Sequence, residues 1–352
     1  MEDRILMQGN YAVGEGGIQG GCQAYFGYPI TPQNELTQYM AKRMVEEGRV
    51  FIQAESEIAA INMVFGASLA GARAMTSSSS PGISLKQEGI SYMVGCELPG
   101  VIVNIQRGGP GLGNIAGAQS DYFQATRGGG HGDYYLIVLA PASVQEMYDL
   151  TREAFDLADK YRNPVIVLAD GILGQMLEPV KIVKKNPMSN FSAKKDWILD
   201  GCKGRKPRMV RSLLMDEGAL EEHNWKLNKK YEKMKKTEMR VETDNLEDAE
   251  VALVGYGTSA RICKEAMEIA RRKGIKVGLV RPITLWPFPE KVIAENADRL
   301  KAFLAIEMSL GQMVEDVRLA ANGRCPVHFY GKPGGGIPEV DVIVERIEKI
   351  LK

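Results

Sequence analysis

Tyr28-Pro29-Ile30-Thr31-Pro32, then Glu55-Ser56-Glu57, then Thr76-Ser77-Ser78-Ser79-Ser80-Pro81-Gly82 frame the stretch on which the reading of this chain turns. Between the last two lies Ile58 to Ala72, 15 residues that are almost all apolar or small. A run that is hydrophobic on all sides predicts a helix buried on every face. It falls short of the roughly 20 apolar residues that cross a bilayer. Glu57 therefore sits at the mouth of a buried helix, where the helix dipole tolerates one negative charge. Two readings are open: a wet first-turn glutamate, or a carboxylate aimed at a ligand from a dry site.

Working outward, the two prolines of the first motif fix the backbone and push the residues before them into extended geometry. Thr31 is thus held on a stiff turn ahead of a helix expected over 35–46, as its cap or as a hydroxyl offered to substrate. Val50 to Ala54 predicts a strand. The serine-rich turn Thr76–Gly82 is either a simple turn or a set of donors for an anionic ligand. Gly100 to Ile105 predicts a short buried strand, with Gln106-Arg107-Gly108-Gly109-Pro110 at its end. Ligands of open α/β sheets bind just outside such strand ends. An arginine there offers a permanently charged fork to a carboxylate.

Bulk composition sets limits. The chain has 352 residues with 44 basic and 44 acidic side chains, so the net charge is zero. That balance argues against nucleic-acid or anionic-membrane binding. The five cysteines, at 22, 96, 202, 263 and 325, form no Cys-x-x-Cys pair and fit reduced thiols in a cytoplasmic protein. No signal peptide is visible after Met1-Glu2-Asp3-Arg4.

Apolar strands at 136–140 and 164–169 with a helix over 144–161 between them predict a parallel sheet covered on both faces. The dense glycines after Gly9 could cradle a phosphate, but Gly16 to Ala24 fits a closely packed helix better, since no Gly-Lys-Ser/Thr follows. The loop from Gly113 to Asp133 is too long to be mere connection and holds Gln119, Asp121, Arg127 and His131. Residues 179–248 are charged and read as a linker with a solvated helix. From Ala249 a second unit begins. Its Gly255-Tyr256-Gly257 turn imitates a dinucleotide fingerprint but lacks the acid expected about 20 residues on. Thr258 and Ser259 read as helix caps.

Five ordered motifs resemble the alpha subunit of 2-oxoacid:ferredoxin oxidoreductases. They are Tyr28–Pro32, Ser56-Glu57-Ile58-Ala59-Ala60, Thr76–Gly82, Gln106–Pro110 and Val280-Arg281-Pro282-Ile283-Thr284-Leu285-Trp286-Pro287-Phe288-Pro289. The stretch Ile137 to Met147 is most similar to the branched-chain, 2-oxoisovalerate members. The resemblance implies a thiamine diphosphate pyrimidine-binding domain over 1–178, the charged segment over 179–248, and a smaller transketolase C-terminal-like α/β domain over 249–352.

It also implies roles. Glu57 would set the tautomer of the cofactor's aminopyrimidine through ring nitrogen N1′, with Pro29, Ile30 and Thr31 beside the cofactor. Arg107 would take the substrate carboxylate, and Thr31 the carboxylate or carbonyl oxygen. The Gly-Asp-Gly…Asn signature that holds diphosphate and Mg²⁺ in such enzymes is missing here; Ala169-Asp170-Gly171 is the nearest approach. The diphosphate, the metal and the [4Fe-4S] clusters are therefore expected on partner chains: a beta subunit and small ferredoxin-like subunits. Coenzyme A and ferredoxin complete the expected reaction. A 2-oxoglutarate enzyme, with Arg127 as a second cation, and a non-catalytic scaffold remain as rivals.

Overall fold

A computed structural model describes residues 4–183 and 195–352. The charged segment expected over 179–248 thus lies partly outside the described residues, as does the start of the chain. A seven-stranded sheet dominates the first part. Its strands are β2 (Ala24–Gly27), β3 (Val50–Gln53), β4 (Ala74–Ser78), β5 (Gly100–Gln106), β6 (Ile137–Leu139), β7 (Pro164–Asp170) and β12 (Thr284–Trp286), in the order β12-β6-β7-β5-β4-β2-β3. Six run parallel; β12 joins β6 antiparallel from the far side of the chain. Every residue of β5 and β7 is buried, as predominantly apolar strands between two helical layers require.

The helices on its faces follow from their sequences. In α6 (Val144–Tyr161) Ser143 accepts a hydrogen bond from Glu146 N, 3.1 Å, and Glu146 reaches back to Ala142 N, 2.8 Å. This reciprocal capping starts the helix where its sequence predicts, and Arg162, in the left-handed region at φ 48°, ends it. The glycine-dense helix α1 (Gly9–Gln19) packs on α6 so closely that a Cβ on Gly16 would lie 2.4 Å from Tyr148 O. The expectation of tight packing holds, with the helix beginning earlier than the glycine run suggested.

The helix α3 (Glu57–Leu69) departs from expectation. Its buried face is Glu57, Ala60, Ile61, Val64 and Ser68. Ile58 is 48% exposed, and Asn62 and Gly66 on the same stripe are also exposed. Small and apolar residues all round therefore do not give burial all round within this chain.

The second sheet comprises β9 (Val241–Asp244), β10 (Val251–Val254), β11 (Val277–Pro282), β13 (Ala302–Glu307) and β14 (Val327–Gly331), in the order β14-β13-β10-β11-β9. It is parallel except for β9. Because β9 comes from the charged segment, that segment is more than a tether. Its helix α8 (Ala219–Thr237) buries Leu227, Tyr231 and Met234, with Tyr231 edge-on to Tyr135 and Trp286. Lys226 and Lys230 pair with Glu97, and the remaining charges face solvent.

Thr258 and Ser259 are not caps. Helix α9 (Gly257–Arg272) starts without a side-chain cap. Thr258 Oγ donates to Asp170 Oδ1, 2.7 Å, and Ser259 Oγ to Gln119 Oε1, 2.7 Å. Both residues are spent on joining the two sheets.

Candidate active site

Four adjacent strands of the first sheet deliver the residues singled out in the sequence. Beyond the C-terminal ends of β5, β4, β2 and β3 stand Arg107, Ser79–Gly82, Tyr28–Pro32 and Glu57 respectively. In an open parallel sheet this edge is where ligands bind.

Glu57 is the first residue of α3 and is 6% exposed. The capping is done by Ser56, whose Oγ accepts from Ala59 N at 3.2 Å. The Glu57 carboxylate is therefore not consumed by its own helix. Among the described residues it makes no hydrogen bond and no ion pair. It lies against the first turn of α4 (Pro81–Gly95), where a Cβ on Gly82 would sit 2.7 Å from Glu57 Oε1 and 2.0 Å from Ser78 Oγ. Only glycine allows that approach. On β4 and the turn that follows it, the hydroxyls of Thr76, Ser78 and Ser79 are buried without a partner among the described residues. Buried polar atoms in proteins are nearly all satisfied, so a cluster of orphans needs an explanation.

The turn between β4 and α4 is held under strain. Ser80 has φ 28°, a conformation that an L-residue rarely adopts. Its Oγ donates to Asp121 Oδ2, 2.6 Å, and accepts from Arg107 N, 3.0 Å. Asn104 Nδ2 donates to the same Asp121 oxygen, 2.9 Å, and burial pushes the Asp121 carboxyl above its ordinary range. Asp121 thus acts from inside the long loop to fix the turn beside Glu57.

Arg107 is 6% exposed. Nη1 donates to Thr31 O and Nη2 to Leu112 O, each at 3.0 Å, while Nε is buried with no partner. Among the described residues no carboxylate comes within ion-pair reach of it. A buried cation without a counter-charge is costly, and an anionic ligand would relieve it. The same bonds place the guanidinium beside Thr31. The Thr31 hydroxyl accepts from Asn34 Nδ2, 3.2 Å, which leaves its own proton to donate. Thr31 is not the cap of α2 (Asn34–Glu46), a position taken by Gln33. Pro29 is exposed and Ile30 half-buried on the same turn.

Other candidates are placed elsewhere. Arg127 pairs with Asp316 of the second unit, 2.6 Å, and lies over the Phe123 ring. His131 is exposed on its glycine loop, and its carbonyl accepts from Ser91 Oγ, 2.7 Å. Gln119 bridges to Tyr256, Ser259 and Met308. Asp170 takes up no free position. Oδ1 accepts from Ile172 N, Leu173 N and Thr258 Oγ, and Oδ2 from Thr258 N. Sequence reading named Gly82 only as the end of the serine-rich turn and missed the wholly buried Lys86 of α4. Lys86 follows Gly82 by one turn, but a single lysine in a mixed helix carries no local mark of burial.

A layered α/β edge with an unpartnered carboxylate and an uncompensated arginine marks a candidate ligand-binding site. Residues 15–243 match the family described as pyruvate flavodoxin/ferredoxin oxidoreductase, thiamine diphosphate-binding, and residues 249–343 match pyruvate:ferredoxin oxidoreductase core domain II. The chain belongs to the 2-oxoacid:ferredoxin oxidoreductase family. It is 50% identical over 98% of its length, and 97% of the relative's, to ketoisovalerate oxidoreductase subunit VorB of Methanothermobacter thermautotrophicus. It is 39% identical to the same organism's 2-oxoglutarate synthase subunit KorA, over 99% of this chain and 100% of that one. The 2-oxoglutarate:ferredoxin oxidoreductase of Magnetococcus marinus, solved with 2-oxoglutarate, coenzyme A and succinyl-CoA bound, superposes with a TM-score of 0.90 at 29% identity; all of this chain is covered and 66% of that one. A split-gene transketolase shares the fold, with a TM-score of 0.61 at 14% identity and 98% of each chain covered.

Among the described residues no helix is long and apolar enough to cross a membrane, and no group of His, Cys, Asp or Glu is arranged to hold a metal.

Proposed function

We propose that this chain is the alpha subunit of a cytoplasmic, hetero-oligomeric oxidoreductase that converts a branched-chain 2-oxoacid, 2-oxoisovalerate, and coenzyme A to acyl-CoA and CO2. Two electrons pass to ferredoxin and one proton is released. A beta subunit carries the diphosphate and Mg²⁺ half of the cofactor site, and small subunits carry the [4Fe-4S] clusters. The observation that carries the reading is the unpartnered Glu57 carboxylate on the same strand-end edge as the uncompensated Arg107 cation. The higher full-length identity to the ketoisovalerate subunit supports the substrate.

The residues present fit thiamine diphosphate: the Glu57 carboxylate lies against Gly82 with no hydrogen bond among the described residues, and β4 and the turn after it carry orphaned hydroxyls. Bound thiamine diphosphate supplies the carbanion chemistry at the 2-oxo carbon. Glu57 holds a proton at ring nitrogen N1′, a task for which a carboxylate in a dry site is suited. Pro29 and Ile30 line the approach. The Arg107 fork takes the substrate carboxylate, which replaces the missing counter-charge. Thr31 donates its hydroxyl proton to the carboxylate or the carbonyl oxygen and is fixed by Asn34 and by its own carbonyl's bond to Arg107.

A 2-oxoglutarate specificity is the second reading, favoured by the high TM-score to the Magnetococcus enzyme. Arg127, the cation that it would call on, is already paired with Asp316. The test is ferredoxin or viologen reduction by the co-purified complex with coenzyme A and, in turn, pyruvate, 2-oxoglutarate and 2-oxoisovalerate. Preference for 2-oxoisovalerate is expected. Preference for 2-oxoglutarate would move the specificity and keep the chemistry. No reduction by an intact, cofactor-loaded complex would leave a scaffold subunit.

A further inference from the structure

Lys86 is wholly buried, yet lysine is almost never buried without a paired charge. Its Nζ donates to the main-chain carbonyl of Glu57 at 3.3 Å. Gly82 and Lys86 are four residues apart on α4, and so share the face turned to the N-terminus of α3. The Glu57 carboxylate rests over Gly82, and the Lys86 ammonium reaches the same residue's backbone from one turn further along. Glu57 is the one charged group found to act on this ammonium; its attraction opposes the burial that pushes the lysine down to about 8. A methionine would fill the same space at far lower cost in desolvation. The charge therefore needs a use.

We propose that Lys86 is a positioning residue for Glu57: its buried positive charge, held against the first residue of α3, biases the proton shared by this glutamate and a ligand nitrogen toward the nitrogen. The inference rests on the reading above, in which that nitrogen is N1′ of thiamine diphosphate. A cation near a carboxylate in a poorly screened interior, even beyond ion-pair reach, favours placing a shared proton on the partner. A proton placed at N1′ favours the N1′-protonated forms of the aminopyrimidine, the imino tautomer among them. Without Lys86, the shared proton would move toward Glu57, and the tautomer would appear only at higher pH.

The test is the near-ultraviolet circular dichroism of the imino tautomer in the co-purified, thiamine diphosphate-loaded complex, followed against pH. Lys86→Met and Lys86→Gln are compared with the wild type and with Glu57→Gln. Both lysine variants are expected to raise the pH midpoint by at least one unit, which is tenfold in proton affinity. Glutamine preserves a donor for the Glu57 carbonyl, so if Lys86→Gln restores the wild-type midpoint while Lys86→Met does not, the hydrogen bond and not the charge matters and the proposal falls. An unchanged midpoint in both variants also overturns it and leaves the role of Glu57 intact. If instead Glu57→Gln retains the wild-type signal, the assignment of Glu57 itself fails. Cofactor content and the melting temperature of each complex show whether a variant has merely unfolded; Lys86→Gln serves if Lys86→Met does not assemble.

Discussion

Two polar regions of this molecule are equally buried and differently finished. At the seam between the sheets, Asp170 accepts four hydrogen bonds and Gln119 bonds Tyr256, Ser259 and Met308. Tyr122 and Arg127 share Asp316, and Glu307 accepts from Gln312 N, Met313 N and Val314 N. At the strand-end edge, the Arg107 Nε and the hydroxyls of Thr76, Ser78 and Ser79 have no hydrogen-bond partner among the described residues, and the Glu57 carboxylate makes no hydrogen bond among them. The contrast separates structure from function. A saturated network is a joint, whereas an unsaturated one is half of a contact that something else completes.

Substitutions should act on activity at the edge and on stability at the seam. Glu57→Gln is expected to have the largest effect: turnover falls by about 10³-fold or more, beyond the middle of the range for a lost proton-transfer group. The melting temperature of the complex should stay near the wild-type value. A Gln variant with substantial turnover would break the distinction at its strongest point. Arg107→Ala comes next, costing about 2–5 kcal/mol of substrate binding, as for one partner of a buried charge pair. It should appear as a raised KM for the 2-oxoacid with little loss of stability, because losing its bonds to Thr31 O and Leu112 O is offset by removing a cation that has no counter-charge among the described residues. Unchanged substrate dependence would remove Arg107 from the site.

Asp170→Asn should reverse the pattern. It loses acceptor capacity at a fully buried joint and should lower unfolding stability by about 1–3 kcal/mol, read from the denaturant midpoint. Residual folded enzyme should keep its KM. Smallest of all is Arg127→Ala. Its pair with Asp316 is half-exposed on the arginine side, so the change is expected to stay within about 1 kcal/mol. The preference between 2-oxoglutarate and 2-oxoisovalerate should not move. A shifted preference would return Arg127 to the substrate site.

How much of this was legible in the sequence depended on how local the physics is. Helix α6 announces itself through Ser143 and Glu146, a cap written within four residues. Strands β5 and β7 announce themselves through predominantly apolar runs. Thr31, Arg107 and Glu57 stood out from their motifs, and the fold brings them to one strand-end edge. What failed was long-range. Thr258 and Ser259 look like caps because a cap is a local pattern, yet their partners, Asp170 and Gln119, lie 88 and 140 residues away. Helix α3 looked buried all round because composition does not say which chain supplies the cover; its Ile58–Asn62–Gly66 stripe is bare in this one. The charged segment read as a tether because β9 pairs with a strand that follows it in the chain, and α8 packs on residues well before it. Lys86 could not be seen at all, since its meaning lies in the carbonyl that it meets across two helices.

The central claim is that the unsaturated edge is one half of a cofactor site. The most direct measurement is a calorimetric titration of thiamine diphosphate with Mg²⁺ into the apo complex and, separately, into the isolated chain. The expected result is one cofactor bound per copy of this chain in the complex and none by the chain alone at the same concentration. Equal binding by the isolated chain, with the same requirement for Mg²⁺, would place the whole site on this subunit and contradict the claim.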